Sequence, residues 1–221
     1  LGRAYKFLSG RVSAIAMGFG EANKWGRAYV SVTGNPVRPD ILKVADTDYP
    51  ERWPSHRFNL FVFGGSQGAS FFSKLIPEAL AKLPDEQRQV VHVVQQARPE
   101  DLDKVVADFR FLRVTAKVES FFKDMPENFA ASHLVISRAG ASTVSELAVV
   151  GRPAILVPYP FALDHDQASN AALMAEAGGA VIHPERRLTP EVLAEILSDY
   201  ITNPKKLELA AENAKNCGKP D

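Results

Sequence analysis

Short apolar runs alternate with helical segments along most of the chain, and this alternation constrains the fold more than any other feature. The runs LFVF, VVHVV and AILVP are apolar at successive positions rather than at every second position. Strands of that kind are buried on both faces, which is typical of parallel sheets covered by helices. Alternation of such strands with helices of about 10–15 residues predicts βαβ units. The predicted fold class is therefore α/β.

The predicted elements follow one another regularly after residue 57. Strands are expected at 59–63, 90–94, 111–116, 133–137, 153–158 and 180–183, and helices at 69–83, 99–109, 124–131, 142–150, 166–177, 190–200 and 204–216. Before this region, two Gly-bounded apolar runs at 12–17 and 28–32 predict two further strands. The segment 36–57 has four prolines between Pro36 and Pro54 and no helical period, so we expect an irregular linker there.

The composition excludes several classes of protein. Apolar residues make up 46% of the chain and charged residues 24%, as in ordinary globular proteins. The formal net charge is zero, so no nucleic-acid partner is expected. The single cysteine, Cys217, cannot form an internal disulfide, which suits a reducing compartment. No apolar run approaches the ~20 residues that a membrane span requires.

A glycine-rich turn, Gly64-Gly65-Ser66-Gln67-Gly68, follows the strand at 59–63 and opens a helix. One interpretation is a loop that offers backbone N–H groups to an anion. A second is a nucleophile elbow, because the same residues fit G-x-S-x-G with Ser66 as the nucleophile. A third is a tight turn that needs glycine only for its backbone conformation.

Several features disfavour the elbow and the nucleotide-binding motifs of other families. No HGGG-type segment precedes Ser66, and few strands come before it, whereas the elbow lies deep within a hydrolase sheet. The spacing is not G-x-G-x-x-G, and the next strand ends at Gln95-Gln96 where a dinucleotide site needs an acidic residue. No Gly-Lys-Ser/Thr occurs in the turn, which excludes a Walker loop. An acid and a histidine later in the chain complete a Ser…Asp…His order, so the hydrolase stays an alternative.

A second loop, at 138–143, again places small residues between a strand and a helix. Its free N–H groups and the positive end of the helix dipole are expected to face outward together, which suits a diphosphate. Glu146 lies about one turn inside the helix, from where its carboxylate can reach ribose hydroxyls. The alternative is that Ser142 is an ordinary N-cap, with Ser145 or Glu146 completing a capping box. Capping and ligand binding are compatible here.

A third loop, at 159–170, concentrates polar groups where another helix begins. It contains Asp164, His165, Asp166 and Gln167. Polyol recognition uses this mixture, because each sugar hydroxyl both donates and accepts hydrogen bonds. The alternative is a solvated N-terminal turn with Asp as its cap. A metal site is disfavoured, since no second cluster accompanies these residues at ligand spacing.

Five ordered motifs that extend over nearly the whole chain resemble the MurG family of glycosyltransferases. They are GNPVRPDIL at 34–42, FGGSQGA at 63–69, SRAGASTVSELA at 137–148, RPAILVPYP at 152–160 and DHDQASNA at 164–171. The resemblance implies a GT-B fold, in which two Rossmann-like domains face a cleft. It also implies an inverting enzyme, without metal or cofactor, that transfers N-acetylglucosamine from UDP-GlcNAc to the 4-hydroxyl of lipid I. The product, lipid II, serves peptidoglycan synthesis.

The same resemblance implies which residues bind the donor. Those beside the phosphates and the sugar would be Ser66, Gln67, Gly140, Ala141, Ser142, Thr143, Asp166 and Gln167, with the last two on the sugar hydroxyls. Glu146 would hold the ribose, Phe122 would present its backbone to the uracil, and Arg38 would approach the diphosphate.

The resemblance further implies that the chain holds the donor half of such an enzyme. Residues 1–35 would be trailing strands of an N-terminal acceptor domain, 36–57 an interdomain linker, and 58–221 a Rossmann-like UDP-GlcNAc-binding domain. The family's Gly-Gly-Thr-Gly-Gly-His loop, which supplies acceptor-binding groups and the proposed base, is absent. No catalytic base is therefore assigned, and the chain alone is expected to be inactive. The whole enzyme is expected at the cytoplasmic face of the bacterial inner membrane, attached peripherally through its N-terminal domain.

Two alternatives from other classes stay open. One is a non-catalytic module that binds a nucleotide sugar, and the other is the serine hydrolase with Ser66 as its nucleophile. Transfer of the sugar would distinguish an enzyme from the first, and labelling of Ser66 by a fluorophosphonate would support the second.

Overall fold

A computed structural model describes residues 7–18, 28–51, 56–160 and 166–219, and the side chains of 66–69 and 166 lie outside the description. The strands of this part of the chain are β1 (Ala14–Met17), β2 (Tyr29–Val32), β3 (Phe58–Phe63), β4 (Val91–Gln96), β5 (Thr115–Glu119), β6 (Leu134–Ser137), β7 (Ala154–Leu156) and β8 (Ala180–Ile182). Its helices are α1 (Pro39–Leu42), α2 (Gly65–Ala81), α3 (Asp85–Val90), α4 (Leu102–Phe111), α5 (Met125–Ala131), α6 (Ala141–Val150), α7 (Asp166–Glu176), α8 (Pro190–Thr202) and α9 (Pro204–Asn216). No helix in this part of the chain combines the length and the apolar character that crossing a membrane requires.

Strands β3 to β8 form one parallel sheet in the order β5-β4-β3-β6-β7-β8. Strand β3 pairs with β4 on one side and with β6 on the other. The chain therefore builds one half of the sheet outward from β3 to β5, returns to the centre, and builds the other half from β6 to β8. This is the strand order of the doubly wound Rossmann fold. The predicted α/β class with a Rossmann-like parallel sheet is confirmed.

Helices cover both faces of this sheet, and each face has its own apolar core. One core contains Phe72 of α2 and Leu197 of α8, and the other contains Phe129 of α5, Leu147 of α6 and Met174 of α7. Successive residues of β3 enter the two cores in turn. Because neither face of the strand meets water, its run LFVF is apolar at every position.

The two predicted starts that differ most from the structure, each by four residues, do so for local reasons. Helix α2 begins at Gly65 rather than at 69, because the glycine turn itself forms the first helical turn. Strand β5 begins at Thr115 rather than at 111. Phe111 instead ends α4 and is 88% exposed, and Arg113 reverses the chain with a left-handed φ of 55°. The apolar residues at 111–112 therefore belong to the end of a helix and not to a strand.

Two short helices were not predicted. Helix α3 is wholly polar except for its last residue, so its sequence lacks the apolar period of a packed helix. Helix α1 lies inside the segment predicted to be irregular, and it begins with Pro39, whose fixed φ suits the first helical position. Its Ile41 is fully buried in the core that contains α6. The segment at 36–57 is therefore anchored on the larger unit near its start.

Strands β1 and β2 form a separate two-stranded parallel sheet. The chain that leaves β2 is joined to α6, since Asn35 Nδ2 donates to Ser145 Oγ at 3.2 Å. The chain beyond α9 returns to the same place, where Lys219 Nζ donates to Val32 O at 3.0 Å. These contacts fasten the small sheet to the larger unit. The division into an acceptor remnant, a linker and a donor domain remains a prediction.

Arg152 joins several chain segments at the edge of the sheet where β7 begins. Its side chain is 1% exposed and donates at 2.9–3.1 Å to the carbonyl groups of Phe129, Ala130, Val150 and Asp48. The first three carbonyls lie at the C-terminal ends of α5 and α6, where a cation complements the helix dipole. Burial lowers the pKa of Arg152 to about 10. The guanidinium thus replaces water for carbonyls that the helices leave unpaired.

Replacing Arg152 with Met tests this role. The variant keeps the apolar volume and leaves several buried carbonyls without donors, so we expect the free energy of unfolding to fall by about 3 kcal/mol. Urea unfolding followed by circular dichroism measures the change. Arg110→Met, at an exposed position of α4, is the matched control and should change the free energy by less than about 0.5 kcal/mol. Equal unfolding midpoints for the two variants would show that water satisfies the carbonyls.

Candidate functional site

The return of the chain from β5 to β6 brings the predicted loops together at one edge of the sheet. Strand β3 pairs with β6 as far as Phe63 and Ser137, and β6 pairs with β7 as far as Ser137 and Leu156. The segments that follow these three strands therefore leave the sheet side by side. Helix α2 then packs on one face and α6 on the other. A crevice at such a switch in strand order is where open parallel sheets bind their ligands.

The N-terminus of α6 lies at this crevice, and its first N–H groups take no part in the hydrogen bonds of the helix. Gly140 is its N-cap and has no side chain that can cap the helix. The helical hydrogen bonds begin with Val144 N, which donates to Gly140 O at 3.0 Å, so the helix does not use the N–H groups of 141–143. Ala141 and Thr143 are half-buried, and Ser142 is exposed. These N–H groups and the helix dipole together favour an anion.

The alternative that Ser142 caps this helix is wrong. Ser142 is the second residue of α6 and not its N-cap. The predicted capping box with Glu146 is also absent, because Arg38, which lies outside the helix, is bonded to the Glu146 carboxylate.

Glu146 is buried one turn inside α6, and its partner is Arg38. Arg38 Nε and Nη2 donate to the two carboxylate oxygens at 2.6 and 2.9 Å. The carboxylate side chain is 5% exposed and the arginine side chain 55%. The hydrogen bond to Glu146 and the negative charges of Glu146 and Asp40 raise the pKa of Arg38, against the opposing effect of burial. The structure thus brings together two predicted donor-binding residues that are 108 positions apart in the sequence.

The glycine turn has an internal partner that the sequence did not reveal. Gly65 has a left-handed φ of 66°, so the turn needs glycine at this position. The N–H groups of Gly64 and Gly65 donate to Gln96 Oε1 at 3.3 and 3.1 Å. Gln96 Nε2 in turn donates to Ser120 O at 3.1 Å. Gln96 therefore links the glycine turn to the chain that leads to Phe122. The side chains of Ser66 and Gln67 lie outside the described residues.

The third loop is held by two side chains of α7. Gln167 Oε1 accepts a hydrogen bond from Tyr159 N at 2.9 Å, and Asn170 Nδ2 donates to Ala139 O at 3.4 Å. These contacts place the start of α7 beside the crevice. Asp164, His165 and the side chain of Asp166 lie outside the described residues. Among the residues that the structure does describe, no group of three or more His, Cys, Asp and Glu is arranged to hold a metal ion.

Phe122, predicted to lie beside the uracil, follows β5 on the other side of the crevice. Its ring is buried and packs edge-on against Phe61, with ring centroids 5.6 Å apart. Lys117 Nζ lies 5.5 Å from the centroid of the Phe122 ring. The side chain is thus part of the core, so a contact of this residue with uracil would be made by its backbone.

Arg138 is a buried cation at the crevice that the motif analysis passed over. Its Nη2 lies 2.7 Å from Glu185 Oε2, and its guanidinium lies 5.2–5.4 Å from the ring centroids of Phe71, Phe72 and Tyr159. An arginine directly after an apolar strand was the available signal. Glu185 neutralises the charge of Arg138. The contacts of the guanidinium with Phe71 and Phe72 of α2 hold that side of the crevice in place.

The sequence of residues 59–221 matches a known family, described as the glycosyltransferase family 28 C-terminal domain. The match extends over well more than half of the chain. The chain belongs to this family. The crevice at the start of α6 follows the general rule that open parallel sheets bind ligands at the carboxyl ends of their strands.

Curated relatives resemble this family 28 chain over its whole length. Proteins of Allorhizobium ampelinum and Mesorhizobium japonicum are 53% and 51% identical to it over 224 and 223 residues. Both are named UDP-N-acetylglucosamine--N-acetylmuramyl-(pentapeptide) pyrophosphoryl-undecaprenol N-acetylglucosamine transferase. The alignments cover 100% of this chain and 59% of each relative. The chain therefore spans about three fifths of the length of the relatives it matches.

Solved structures agree with the family 28 assignment. The crystal structure of Acinetobacter baumannii MurG superposes with a TM-score of 0.81 at 27% identity, covering 100% of this chain and 61% of that one. WaaG, a glycosyltransferase involved in lipopolysaccharide biosynthesis, superposes with a TM-score of 0.60 at 22% identity, which shows a shared fold only. The fold is that of the C-terminal domain of a GT-B glycosyltransferase, as predicted.

The left-handed conformation of Gly65 gives a test of the turn. A Cβ at this position meets no atom within 4 Å, so Gly65→Ala should lower the free energy of unfolding through its backbone alone, by about 1–2 kcal/mol. Gly10 also has open space around a Cβ and has no left-handed φ, so Gly10→Ala is the matched control. Urea unfolding of both variants measures the difference. Equal stabilities would contradict the left-handed turn.

Proposed function

We propose that this chain is the donor-binding part of an inverting N-acetylglucosaminyltransferase. The whole enzyme transfers N-acetylglucosamine from UDP-GlcNAc to the 4-hydroxyl of lipid I and so forms lipid II for peptidoglycan synthesis. The observation that carries the proposal is the start of α6, where N–H groups that the helix does not use lie one turn from the buried carboxylate of Glu146. These groups suit the two parts of a nucleoside diphosphate, its phosphates and its ribose hydroxyls. The names of the relatives indicate the sugar and the acceptor.

The remaining donor contacts follow from the same arrangement. The N–H groups of 141–143 and the glycine turn at 64–68 face the phosphates, and the start of α7 with Asp166 and Gln167 faces the sugar. Phe122 offers its backbone to the uracil. Support for these roles comes from their common edge of the sheet, because the segments follow the carboxyl ends of the parallel strands β3, β5, β6 and β7.

The chemistry of this half is the stabilisation of the leaving group. Direct attack by the acceptor hydroxyl on the anomeric carbon leaves negative charge on the UDP diphosphate. Fixed N–H groups at helix N-termini stabilise that charge without reorganising during the reaction. We propose that they do so in place of a metal ion or another cofactor.

We assign the acceptor and the base to the part of the enzyme that the relatives have beyond this chain. Lipid I carries an undecaprenyl group, so the whole enzyme works at the cytoplasmic face of the bacterial inner membrane, as a peripheral protein attached through an N-terminal domain. Residues 1–35 belong to that domain, and 36–57 joins it to the donor domain at 58–221. No nucleic acid takes part.

Calorimetry with UDP and UDP-GlcNAc tests the proposed donor site. We expect binding at about the millimolar end of the usual range, because a partner domain normally closes the cleft. Glu146→Gln removes the charge and one acceptor oxygen, so UDP binding should weaken by about 1–3 kcal/mol. Its stability should fall little, because the half-exposed Arg38 regains water.

The matched control is Glu195→Gln at an exposed position of α8, which should bind UDP as the unchanged protein does. A Glu146→Gln protein that melts far lower yet binds UDP normally would show that the carboxylate is structural. Folded protein that gives no heat with either ligand would contradict the donor site itself. Labelling of Ser66 by a fluorophosphonate would support the hydrolase instead.

Transfer to lipid I is expected to need more than these 221 residues. The reaction requires the acceptor hydroxyl in line with the anomeric carbon, a positioning effect of about 7–11 kcal/mol, and a base within hydrogen-bond reach. Purified chain supplied with UDP-GlcNAc and lipid I in detergent should form no lipid II, while a full-length relative forms it under the same conditions. Turnover near that of the relative would place the base on the donor side, at His165 or Asp166. Failure of a full-length relative carrying this donor half to transfer would favour the non-catalytic module.

A further inference from the structure

We propose that Arg38 is a positioning residue that acts through Glu146 and makes the site prefer a nucleoside diphosphate with a ribose 2′-hydroxyl over its 2′-deoxy form. The inference rests on the proposed function, because it concerns the same nucleotide site. It differs from the expectation that Arg38 itself meets the diphosphate.

The geometry of the pair fixes the carboxylate. Arg38 Nε and Nη2 each bond a different oxygen of Glu146, at 2.6 and 2.9 Å. Such a fork-to-fork pair sets both the plane and the rotation of the carboxylate. Each carboxylate oxygen has two lone pairs, and Arg38 uses one on each. One acceptor position per oxygen remains, on the sides of the carboxylate that face away from Arg38, and either can accept the 2′-hydroxyl of a ribose.

Arg38 also supplies the counter-charge of this buried side chain. The Glu146 side chain is 5% exposed, and the guanidinium of Arg38 is bonded to both of its oxygens. The hydrogen bond to Glu146 raises the pKa of Arg38, so the guanidinium keeps its positive charge in the pair. Removing the side chain of Arg38 would take away the positive group that faces the buried carboxylate.

The backbone around Arg38 is held against α6 independently of this pair. Asn35 Nδ2 donates to Ser145 Oγ at 3.2 Å, and Ile41 is fully buried against the same core as α6. Arg38 thus approaches Glu146 from a segment that is already in place. Replacement of its side chain should change the carboxylate and leave the path of the chain intact.

The test compares the affinities of UDP and 2′-deoxy-UDP by calorimetry. The unchanged protein should prefer UDP by about tenfold, the size expected for one hydrogen bond to a charged group. Arg38→Gln should reduce the preference to about threefold or less, mainly by weakening UDP. Arg38→Lys, which restores the charge and not the fork, should be intermediate. Lys43→Gln removes a cation from the same segment, where Lys43 pairs with exposed Asp40, and should keep the full preference.

Each other outcome has a definite meaning. Equal weakening of both nucleotides by Arg38→Gln would overturn the inference and place Arg38 on the phosphates. Unchanged or tighter binding of UDP by Arg38→Gln would also overturn the inference, because Arg38 would then occupy Glu146 in the absence of nucleotide without assisting nucleotide binding. Unchanged protein that binds both nucleotides equally contradicts this inference alone, whereas protein that binds neither contradicts the proposed function as well. Thermal unfolding of each variant verifies its fold, and Arg38→Lys provides the comparison if Arg38→Gln does not fold.

Discussion

Strand β3 pairs in parallel with β4 and with β6, and the whole candidate site depends on this double pairing. The two neighbours come from different parts of the chain, so the helices that follow β3 and β6 must cover opposite faces of the sheet. Helix α2 enters one core and α6 the other. Their N-termini are then left on either side of one crevice, with no further element between the strands. The crevice is a consequence of chain connectivity rather than of any single motif.

Positive charge at this crevice is already paired, which leaves anion binding largely to the backbone. Arg38 is held by Glu146, and Arg138 by Glu185. The N–H groups of Gly64 and Gly65 donate to Gln96. In the part of the chain that the structure describes, the N–H groups at the start of α6 are therefore the clearest unused donors for a diphosphate. Under the proposed function, this division of roles allows UDP to leave after transfer, because fixed dipoles bind an anion without a permanent counter-ion.

Much of the fold was predictable because β3, β6 and β7 contain the apolar runs LFVF, LVI and AIL, which are buried on both faces of the sheet. Helix α3 was missed because its polar sequence has no apolar residues at helical spacing. The start of β5 was misplaced because the apolar residue Phe111 is exposed at the end of a helix. Two of the loops were found because small residues before a helix leave recognisable N–H groups, and the third because polar side chains that suit a sugar lie where a helix begins. The pairing of Arg38 with Glu146 was not predictable, since these residues are 108 positions apart and the sequence around each of them does not indicate its partner. Gln96 was missed because a glutamine at a strand end has many uses.

A crystal structure of the chain with UDP tests the central claim most directly. The account predicts that the diphosphate lies against the N–H groups of 141–143 and that the ribose hydroxyls lie within hydrogen-bond distance of Glu146. The protein also has a groove of about 590 Å³ at the opposite end of α6, between Thr47, Arg152 and Glu208. Nucleotide bound in that groove, or at the crevice with its ribose turned away from Glu146, would contradict the account.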